Sequence, residues 1–398
     1  MLQIETMRIF VLASRVPYPL EKGDKLRIFH QVRELSKNNH VHLCCLNSGK
    51  IHPSAREELS KISSELSIVS LKKKNIIWNL FLNLFSEDPF QVAYFFQRNA
   101  AIKINNLIKS FNPDHIYTQL IRTSEYVKNQ HDIPKTIDYM DSFSKGMDRR
   151  AKSASFFSKP IILSEARRLL RYENLIYDYF ENHTIISKQD RDTIWHQQRK
   201  NIAVIPNGID SVFFHPKEEE KEFDILFTGN MAYIPNVDSV VYLVEDILPL
   251  IQKEIPNVKV LIAGASPVNK IKNMANNSIT VTGWVDDIRN AYWTSKVFVA
   301  PLRLGSGLQN KLLEAMATKK PCVTSPLANN ALGAVNNKSI LIAENAKEFA
   351  EKIIYLLKNQ SAAREIAENG YDHVISNFDW KSTTEKLEKL MSNSSTIS

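Results

Sequence analysis

The stretch APLRLGSGLQNKLLEAMATKKPCVTS (300–325) decides the fold of this chain. The pattern predicts an apolar strand, a turn at Gly305 and Gly307, a helix over 308–319 and a second apolar strand at 322–325. Strand, helix and strand in this order are typical of a parallel sheet with crossover helices. Ligands of such sheets bind beyond the carboxyl ends of the strands, and both glycines stand there.

The same alternation continues on both sides of this stretch. The predicted strands are 8–13, 41–46, 114–119, 136–140 and 184–187, followed by 224–229, 258–264, 278–283, 297–301, 322–325 and 339–343. Two series of this size predict an α/β chain with two Rossmann-like domains, at 1–207 and 208–377, and a charged, exposed connection at 215–224. A C-terminal helix within 378–398 either caps the second domain or packs back on the first.

Composition narrows the class of protein. The chain has 398 residues, 43% of them hydrophobic, a net charge of +8 and three cysteines without metal or disulfide spacing. We therefore expect a globular protein of a reducing cytoplasm. The positive charge fits phosphate-bearing ligands or anionic lipid. Nucleic acid is not an expected partner, because neither a zinc finger, a helix-turn-helix nor an aromatic RNA-binding signature is present. The N-terminal apolar run, broken by Arg15 and Pro17, is too short for a signal peptide or a membrane span.

The glycine turn and the helix after it predict an anion site. Backbone N–H groups at a helix start attract phosphate, and Gly305 and Gly307 let a diphosphate approach the backbone closely. Lys311 can balance phosphate charge, while Glu314, three residues later on a similar face, can accept hydrogen bonds from a ribose. The alternative is a plain tight turn followed by solvated helix residues. The phosphate site is favoured because other strand-end loops of this half also carry glycines: Gly229, Gly264 and Gly283.

Four motifs extend this hypothesis to a family. IPNGID, TGNM, GWVDD and especially GSGLQNKLLEAMATKKPCV resemble family 4 of the retaining glycosyltransferases, which have the GT-B fold of two facing Rossmann-like domains and an interdomain cleft. RVPYPLEKGDKLRIFHQVREL (15–35) is similar to the acceptor-side loop of a subgroup that includes sugar transferases of bacterial exopolysaccharide assembly. The resemblance implies a nucleotide-diphosphate-sugar donor in the C-terminal domain and a glycan or lipid-linked acceptor at the N-terminal one.

The resemblance also assigns donor-binding residues. Glu314 matches the second acid of the family's paired-glutamate motif and would hold the ribose. Ser306 stands where the first acid of that pair is expected, eight residues earlier. Lys311, rather than Arg303, would supply the charge of an arginine that is missing after the TG loop. The other implied donor contacts are Gly229, Asn230, Gly264, Gly283, Val285, Gly305, Gly307 and Leu308, of which Val285 would meet the nucleobase or simply pack in the core.

On the acceptor side the resemblance implies Gly23, Asp24 and Lys25, for which ordinary turn chemistry is the alternative. Asp138 and Asp141 end a predicted strand, and either could orient a sugar hydroxyl or the acceptor. Helix capping is the alternative role for Asp141.

The family resemblance implies retaining transfer by front-side attack, in which the leaving diphosphate takes the acceptor proton and no metal or other cofactor takes part. Catalytic roles then fall to Asp138, Asp141 and Lys311. The segment 71–96 mixes lysines with large apolar residues, and either lies on an anionic membrane or forms a core helix. The alternatives to a transferase are a catalytically silent nucleotide-sugar-binding protein and a nucleotide-sugar epimerase of the same fold.

Overall fold

The computed structural model describes residues 6–152, 154–305 and 307–395. The chain divides into two compact units. The N-terminal unit comprises Met1–Pro206 and Trp380–Ser398, and the C-terminal unit comprises Asn207–Asp379. A parallel sheet covered by helices lies at the centre of each unit.

The strands of the N-terminal unit are β1 (Arg8–Ala13), β2 (His40–Asn47), β3 (Glu65–Ser70), β4 (His115–Gln119), β5 (Lys135–Asp138), β6 (Asn182–Ile185) and β7 (Ala203–Val204). Those of the C-terminal unit are β8 (Phe223–Thr228), β9 (Val260–Ala263), β10 (Ile279–Val281), β11 (Ser295–Ala300), β12 (Cys322–Thr324) and β13 (Leu341–Ile342).

The first nine helices are α1 (Gly23–Leu35), α2 (Ala55–Ser60), α3 (Lys73–Leu82), α4 (Phe90–Phe95), α5 (Arg98–Phe111), α6 (Phe143–Lys152), α7 (Lys159–Tyr177), α8 (Lys188–Thr193) and α9 (Ile234–Tyr242). The remaining helices are α10 (Leu248–Gln252), α11 (Asn269–Lys272), α12 (Arg289–Trp293), α13 (Asn310–Ala317), α14 (Pro326–Leu332), α15 (Ala346–Lys358), α16 (Gln360–Asn377) and α17 (Trp380–Ser395).

The N-terminal sheet has the strand order β3-β2-β1-β4-β5-β6-β7, and its strands pair in parallel. Side chains of β1 alternate between two apolar cores, with Phe10 and Leu12 in one and Ile9 and Val11 in the other. Apolar residues at every position of a strand are expected where helices cover both faces of the sheet. Strands β2 and β3 are added on one side of β1, and β4 to β7 are added on the other side. The loops after β1 and β4 therefore flank a switch point of the sheet.

The C-terminal sheet repeats this plan with the order β10-β9-β8-β11-β12-β13, again in parallel. Its switch point lies between β8 and β11. Ile225 and Phe227 enter one core and Leu226 the other. The predicted α/β class with two Rossmann-like parallel sheets is therefore confirmed.

The last helix, α17, packs on the N-terminal unit. The indole ring of Trp380 is buried and stacks on the imidazole of His30 in α1, with ring centroids 5.0 Å apart. Asn39 donates a hydrogen bond of 2.6 Å to the carboxylate of Glu388. Of the two packings that the sequence left open for this helix, the structure has the one against the first unit.

Two strands and one helix start differ from the sequence predictions. The prediction did not include β3 and β7, because β3 is a half-exposed edge strand with one buried residue and β7 has only two residues. The helix predicted over 308–319 is shorter and runs from Asn310 to Ala317.

Candidate functional site

The candidate site of the C-terminal unit lies at the switch point of its sheet. The loop after β8 begins at Gly229, and the loop after β11 contains Gly305 and Gly307 before α13 starts. The backbone φ angles of Gly305 and Gly307 are +103° and +77°, a region that favours glycine. Both loops therefore leave neighbouring strands at the edge where parallel sheets bind their ligands.

Close packing of two glycines shapes this edge. The amide of Gly229 donates to the carbonyl of Ala263, and the amide of Gly264 donates to the carbonyl of Gly283, each at 3.1 Å. A Cβ placed on Gly264 would lie 1.9 Å from the carbonyl oxygen of Gly229. The loops after β8, β9 and β10 thus lie backbone against backbone at this edge.

Lys311 is buried under the Gly229 loop. Its side chain is 9% exposed, its Nζ donates to Oδ1 of Asn236 at 2.5 Å and lies 4.5 Å from the ring centroid of Phe227. A Cβ built on Gly229 would lie 3.3 Å from this ammonium. None of the carboxylates that the structure describes lies within ion-pair distance of it. Burial lowers the pKa of Lys311 to about 7, against a smaller opposing effect of Glu314. An anion at this place would restore the full charge.

Glu314 lies one helical turn further along α13. Its Oε2 accepts a hydrogen bond of 2.7 Å from the hydroxyl of Tyr292, and that hydroxyl lies 2.8 Å from Oγ1 of Thr228 at the end of β8. Burial raises the pKa of Glu314, while the Tyr292 hydrogen bond and the Lys311 charge oppose the rise. One carboxylate oxygen is thus held by the protein, and the other is available to accept hydrogen bonds from a ligand.

The other predicted donor residues fall in the same loops. Asn230 is exposed, and its carbonyl accepts a hydrogen bond from Asn236 at 2.9 Å. Val285 is half-buried in the turn between β10 and α12, and Leu308 packs against the core beside α13. Ser306 lies outside the described residues.

Arg303 is engaged elsewhere. Its guanidinium forms a bidentate ion pair with Asp238, at 2.8 and 3.1 Å, and lies over the ring of Tyr242 at 4.2 Å. Arg303 is thus held by Asp238, and the choice of Lys311 rather than Arg303 as the phosphate-binding cation stays a prediction.

Sequence reasoning missed two residues of this site. Asn236 connects the Asn230 loop to Lys311, and Tyr292 connects Glu314 to Thr228. Asn236 lies 75 residues from Lys311, and Tyr292 lies 22 residues from Glu314, so neither contact has a local sequence signal.

In the N-terminal unit the structure corrects the role predicted for Asp138. Its carboxylate is fully buried and accepts hydrogen bonds from the guanidinium of Arg27 at 2.6 and 3.4 Å, from the hydroxyls of Tyr117 and Thr184 at 3.0 and 2.9 Å, and from the amide of Met140 at 3.3 Å. A carboxylate with both oxygens occupied in this way has no surface for a substrate. Asp138 is a core residue that ties helix α1 to the sheet, and a catalytic role does not fit it.

Asp141 has a different environment although it follows only three residues later. Its side chain is exposed, yet the protein crowded around it removes much of its water, and this desolvation together with the charge of Asp190 raises its pKa to about 6. The capping alternative is weakened, because the amide of Ser144 in the first turn of α6 donates to Glu173 at 3.1 Å. Asp141 remains an accessible carboxylate at the carboxyl end of β5.

The loops after β1 and β4 meet beside this strand end. Arg15 forms an ion pair of 3.0 Å with Asp24, and Gln119 donates to the carbonyl of Asp24 at 2.9 Å. Arg122 donates to the side chain of Gln91 at 2.7 and 3.1 Å. Burial, with repulsion from Arg15, lowers the pKa of Arg122 to about 10. Two guanidinium groups thus lie close to the switch point of the N-terminal sheet.

The remaining predicted acceptor residues lie at the start of α1. Lys25 pairs with Glu21 at 3.1 Å, one turn back along the chain. Gly23 is exposed, and a Cβ built on it would meet nothing within 4 Å, so the packing of the protein does not itself require a glycine there. Asp24 and Lys25 therefore have the partners expected of turn chemistry.

Comparison with known families bears directly on the glycine loops. Residues 222–359 match the family model described as Glycosyl transferases group 1, and this range includes Gly229, Lys311 and Glu314. This part of the chain is therefore similar to the group 1 glycosyltransferases. The match lies within the C-terminal unit, where the donor site was predicted. A protein described as an uncharacterized 44.6 kDa protein in the cps region of Klebsiella pneumoniae is 22% identical to this chain over 408 residues, which cover 96% of this chain and 99% of that protein.

Solved structures support the fold of both units. Sucrose-phosphate synthase from Thermosynechococcus elongatus matches 98% of this chain and 100% of its own, with 14% identity and a TM-score of 0.71. HepE of Anabaena, in complex with UDP, matches 98% of this chain and 100% of its own, with 13% identity and a TM-score of 0.67. TarM matches 97% and 98%, with 12% identity and a TM-score of 0.69. The fold is that of GT-B glycosyltransferase structures, while membership of family 4 and retention of configuration stay predictions.

Proposed function

We propose that this protein transfers a sugar from a nucleotide-diphosphate-sugar to a glycan or lipid-linked acceptor, with retention of the anomeric configuration. We assign the reaction to cell-surface polysaccharide biosynthesis in the cytoplasm. Its three cysteines are free and buried, as a reducing compartment allows. The similarity of residues 222–359 to the group 1 glycosyltransferases supports this class of activity.

One observation carries the donor assignment. Lys311 is a buried ammonium whose hydrogen-bond partner is a neutral amide, and a Cβ built on Gly229 would lie 3.3 Å from it. Removing an ammonium from water without a counter-charge is unfavourable, and its pKa of about 7 reflects that cost. A diphosphate is the ligand that turns this cost into binding energy.

The comparisons support the same ligand class. HepE of Anabaena, which shares the fold, is described in complexes with UDP and with UDP-glucose. The Klebsiella pneumoniae relative is described as lying in a cps region. From these two descriptions we include a nucleotide-sugar donor and a polysaccharide pathway in the proposal.

The proposed chemistry assigns a role to each candidate residue. The acceptor oxygen forms a bond to the anomeric carbon, the bond from that carbon to the diphosphate oxygen breaks, and the acceptor proton passes to the departing diphosphate. Lys311 and the backbone amides of the glycine loops stabilise the charge that grows on the leaving group. Glu314 holds the ribose hydroxyls, and Asp141 orients a hydroxyl of the sugar or the acceptor. No step requires a metal ion.

The test is a transfer assay with the purified full chain. A panel of nucleotide-sugars is first screened for thermal stabilisation, because a bound donor raises the melting temperature by mass action. The stabilising donor is then incubated with lipid-linked and soluble glycan acceptors in the presence of EDTA. We expect free nucleoside diphosphate and a glycosylated product whose anomeric configuration by NMR matches that of the donor.

Other outcomes separate the alternatives. An isomerised donor without transfer would identify an epimerase. Tight donor binding with neither transfer nor hydrolysis would identify a silent nucleotide-sugar-binding protein. Inversion of configuration, or loss of transfer in EDTA that Mg²⁺ restores, would contradict the retaining and metal-independent parts of the proposal.

A further inference from the structure

The segment after β3 exposes a row of large apolar side chains. On α3 and the turn that follows it, Ile77, Trp78, Phe81, Leu82, Leu84 and Phe85 are between 50% and 84% exposed. The buried face of the same helix contributes Ile76 to the core. One face of this segment is therefore core, and the opposite face carries unpacked aromatic and aliphatic groups.

A second apolar group lies at the connection between α6 and α7. Phe156 and Phe157 are 86% and 88% exposed, and Ile161 on the first turn of α7 is 64% exposed. Beside them is a groove of about 350 Å³, in which Phe156, Pro160 and Leu163 line the apolar part and Lys159 and Arg167 supply cations. Apolar and cationic groups therefore alternate over the same surface.

Hydrogen bonds join the two segments on one side of the N-terminal unit. Arg168 of α7 donates to the carbonyl of Asn83, at the end of α3, at 2.8 Å. Glu165 accepts hydrogen bonds from the amides of Phe90 and Gln91 at 2.8 and 3.1 Å. At a rise of about 1.5 Å per residue, Ile161 lies roughly 6 Å along α7 from Glu165. We call the exposed residues of α3, its following turn and the α6–α7 connection the apolar face.

The charge around the apolar face is mainly positive, although two exposed acids, Glu87 and Asp88, follow Phe85, and Glu87 pairs with Arg171. Residues 149–171 contain seven lysines and arginines, and their one acid, Glu165, is buried. Residues 71–86 contain three lysines and no acid. Among the residues that the structure describes, Lys72, Lys73, Lys74, Lys159 and Arg167 form no ion pair, so their charge is directed to solvent.

The geometry points to an anionic bilayer surface as the partner of the apolar face. Exposed Trp, Phe and Leu side chains insert at the boundary of headgroups and acyl chains, and surrounding lysines and arginines pair with lipid phosphates. A second copy of this chain fits less well, because a twofold contact would place these cations against one another. In the described part of the chain no helix is long and apolar enough to cross a bilayer, so the contact is with the surface. The inference deepens the proposed acceptor, since a lipid-linked glycan is presented at such a surface.

The test is co-sedimentation of the full chain with vesicles, without nucleotide-sugar, so that its result is independent of transfer activity. We expect binding to vesicles of phosphatidylcholine mixed with phosphatidylglycerol, little binding to phosphatidylcholine alone, and weaker binding at high salt. Trp78 fluorescence should shift to the blue on binding, and the shift should disappear in Trp78→Phe.

Two pairs of substitutions test the two components of the surface. The pair Phe156→Ser and Phe157→Ser removes apolar contact with the bilayer. The pair Lys159→Glu and Arg167→Glu reverses two charges, and each basic residue lost should reduce the affinity for anionic vesicles about fivefold or more. Each pair should weaken vesicle binding at least about tenfold and leave the melting temperature unchanged. Trp195→Ser, at an aromatic outside the apolar face that is 63% exposed, close to the 60% of Trp78, is the control and should bind like wild type.

Three results would overturn the inference. Equal binding to charged and neutral vesicles would show that electrostatic attraction does not contribute. Equal losses of vesicle binding in the control and in the paired variants would show that the apolar face is not the contact surface. Self-association of the wild type that the Phe156 and Phe157 substitutions abolish, without any vesicle binding, would assign the face to a second copy of the chain.

Discussion

Replacing Lys311 by methionine should stabilise the fold and weaken donor binding together. Methionine keeps the length and apolar character of the side chain and removes its charge. Burial lowers the pKa of Lys311 from 10.5 to about 7. At about 1.4 kcal/mol per pKa unit, the folded protein carries a cost of roughly 5 kcal/mol at low pH. Losing the hydrogen bond to Asn236 offsets about 1–2 kcal/mol, which leaves a net gain of about 3 kcal/mol.

The pH dependence of this gain has a definite sign. A lysine whose pKa is lower in the folded than in the unfolded protein destabilises the fold, because the unfolded chain binds the proton more tightly. The cost is complete below about pH 7 and disappears as the pH rises toward 10.5. The melting temperature of Lys311→Met should therefore exceed that of wild type by roughly 6–12 °C at pH 6, and the difference should shrink above pH 8.

Binding of a nucleoside diphosphate should change in the opposite direction, and UDP, the nucleotide in the HepE complex, is the probe. Loss of one charge-assisted contact should reduce UDP affinity about 10- to 100-fold, measured by calorimetry at pH 8. Wild type should also take up close to one proton per bound UDP at this pH, because phosphate restores the charge on Lys311, and the variant should take up none. Proton uptake is obtained by repeating the titration in buffers of different ionisation enthalpy.

Lys320 provides a matched control in the same unit. It is buried, and burial with the nearby charge of Lys221 lowers its pKa to about 7 as well, but it precedes β12 at the opposite edge of the sheet. Lys320→Met should raise the melting temperature in the same way and leave UDP binding unchanged. The reasoning about Lys311 is refuted if its variant binds UDP like wild type, or if both variants lose affinity equally.

Three further predictions concern the other candidate residues. Glu314→Ala should keep the fold and lose the stabilisation that UDP gives to wild type, which is about 2.7 kcal/mol when free UDP is at a hundredfold excess over its Kd. A thermal shift titration in which the variant binds UDP with wild-type affinity would disprove the ribose contact. Asp138→Ala should cost about 3–5 kcal/mol in urea denaturation, because it leaves a buried guanidinium without its partner. Asp141→Asn should be no less stable than wild type and should retain a reduced transfer rate that no longer falls below about pH 6. A pH profile that is the same in Asp141→Asn would exclude that carboxylate. Gly264→Ala should cost about 1–3 kcal/mol in urea denaturation, because its Cβ would lie 1.9 Å from the Gly229 carbonyl oxygen, and an unchanged midpoint would show that the two loops can separate.

Local sequence determined the fold class and the position of the donor loops. Apolar runs alternating with amphipathic segments specify parallel strands and crossover helices, because burial of both sheet faces leaves this period in the sequence. Glycines directly after strands then locate the ligand edge, so Gly229, Gly305, Lys311 and Glu314 could be placed near one another before any coordinates. This information is local, and the predicted strands were accordingly found in the structure.

Only the tertiary structure decided what each charged residue does. Asp138 and Asp141 lie at the end of the same strand and differ in environment. Arg27, 111 residues away in sequence, donates hydrogen bonds to the carboxylate of Asp138, whereas Asp141 is exposed. Lys311 and Lys320 lie on or beside one short helix, and packing buries them at opposite edges of a sheet. Burial and pairing depend on residues that are distant in sequence, and the free energy of a charge depends on that environment more than on its neighbours along the chain.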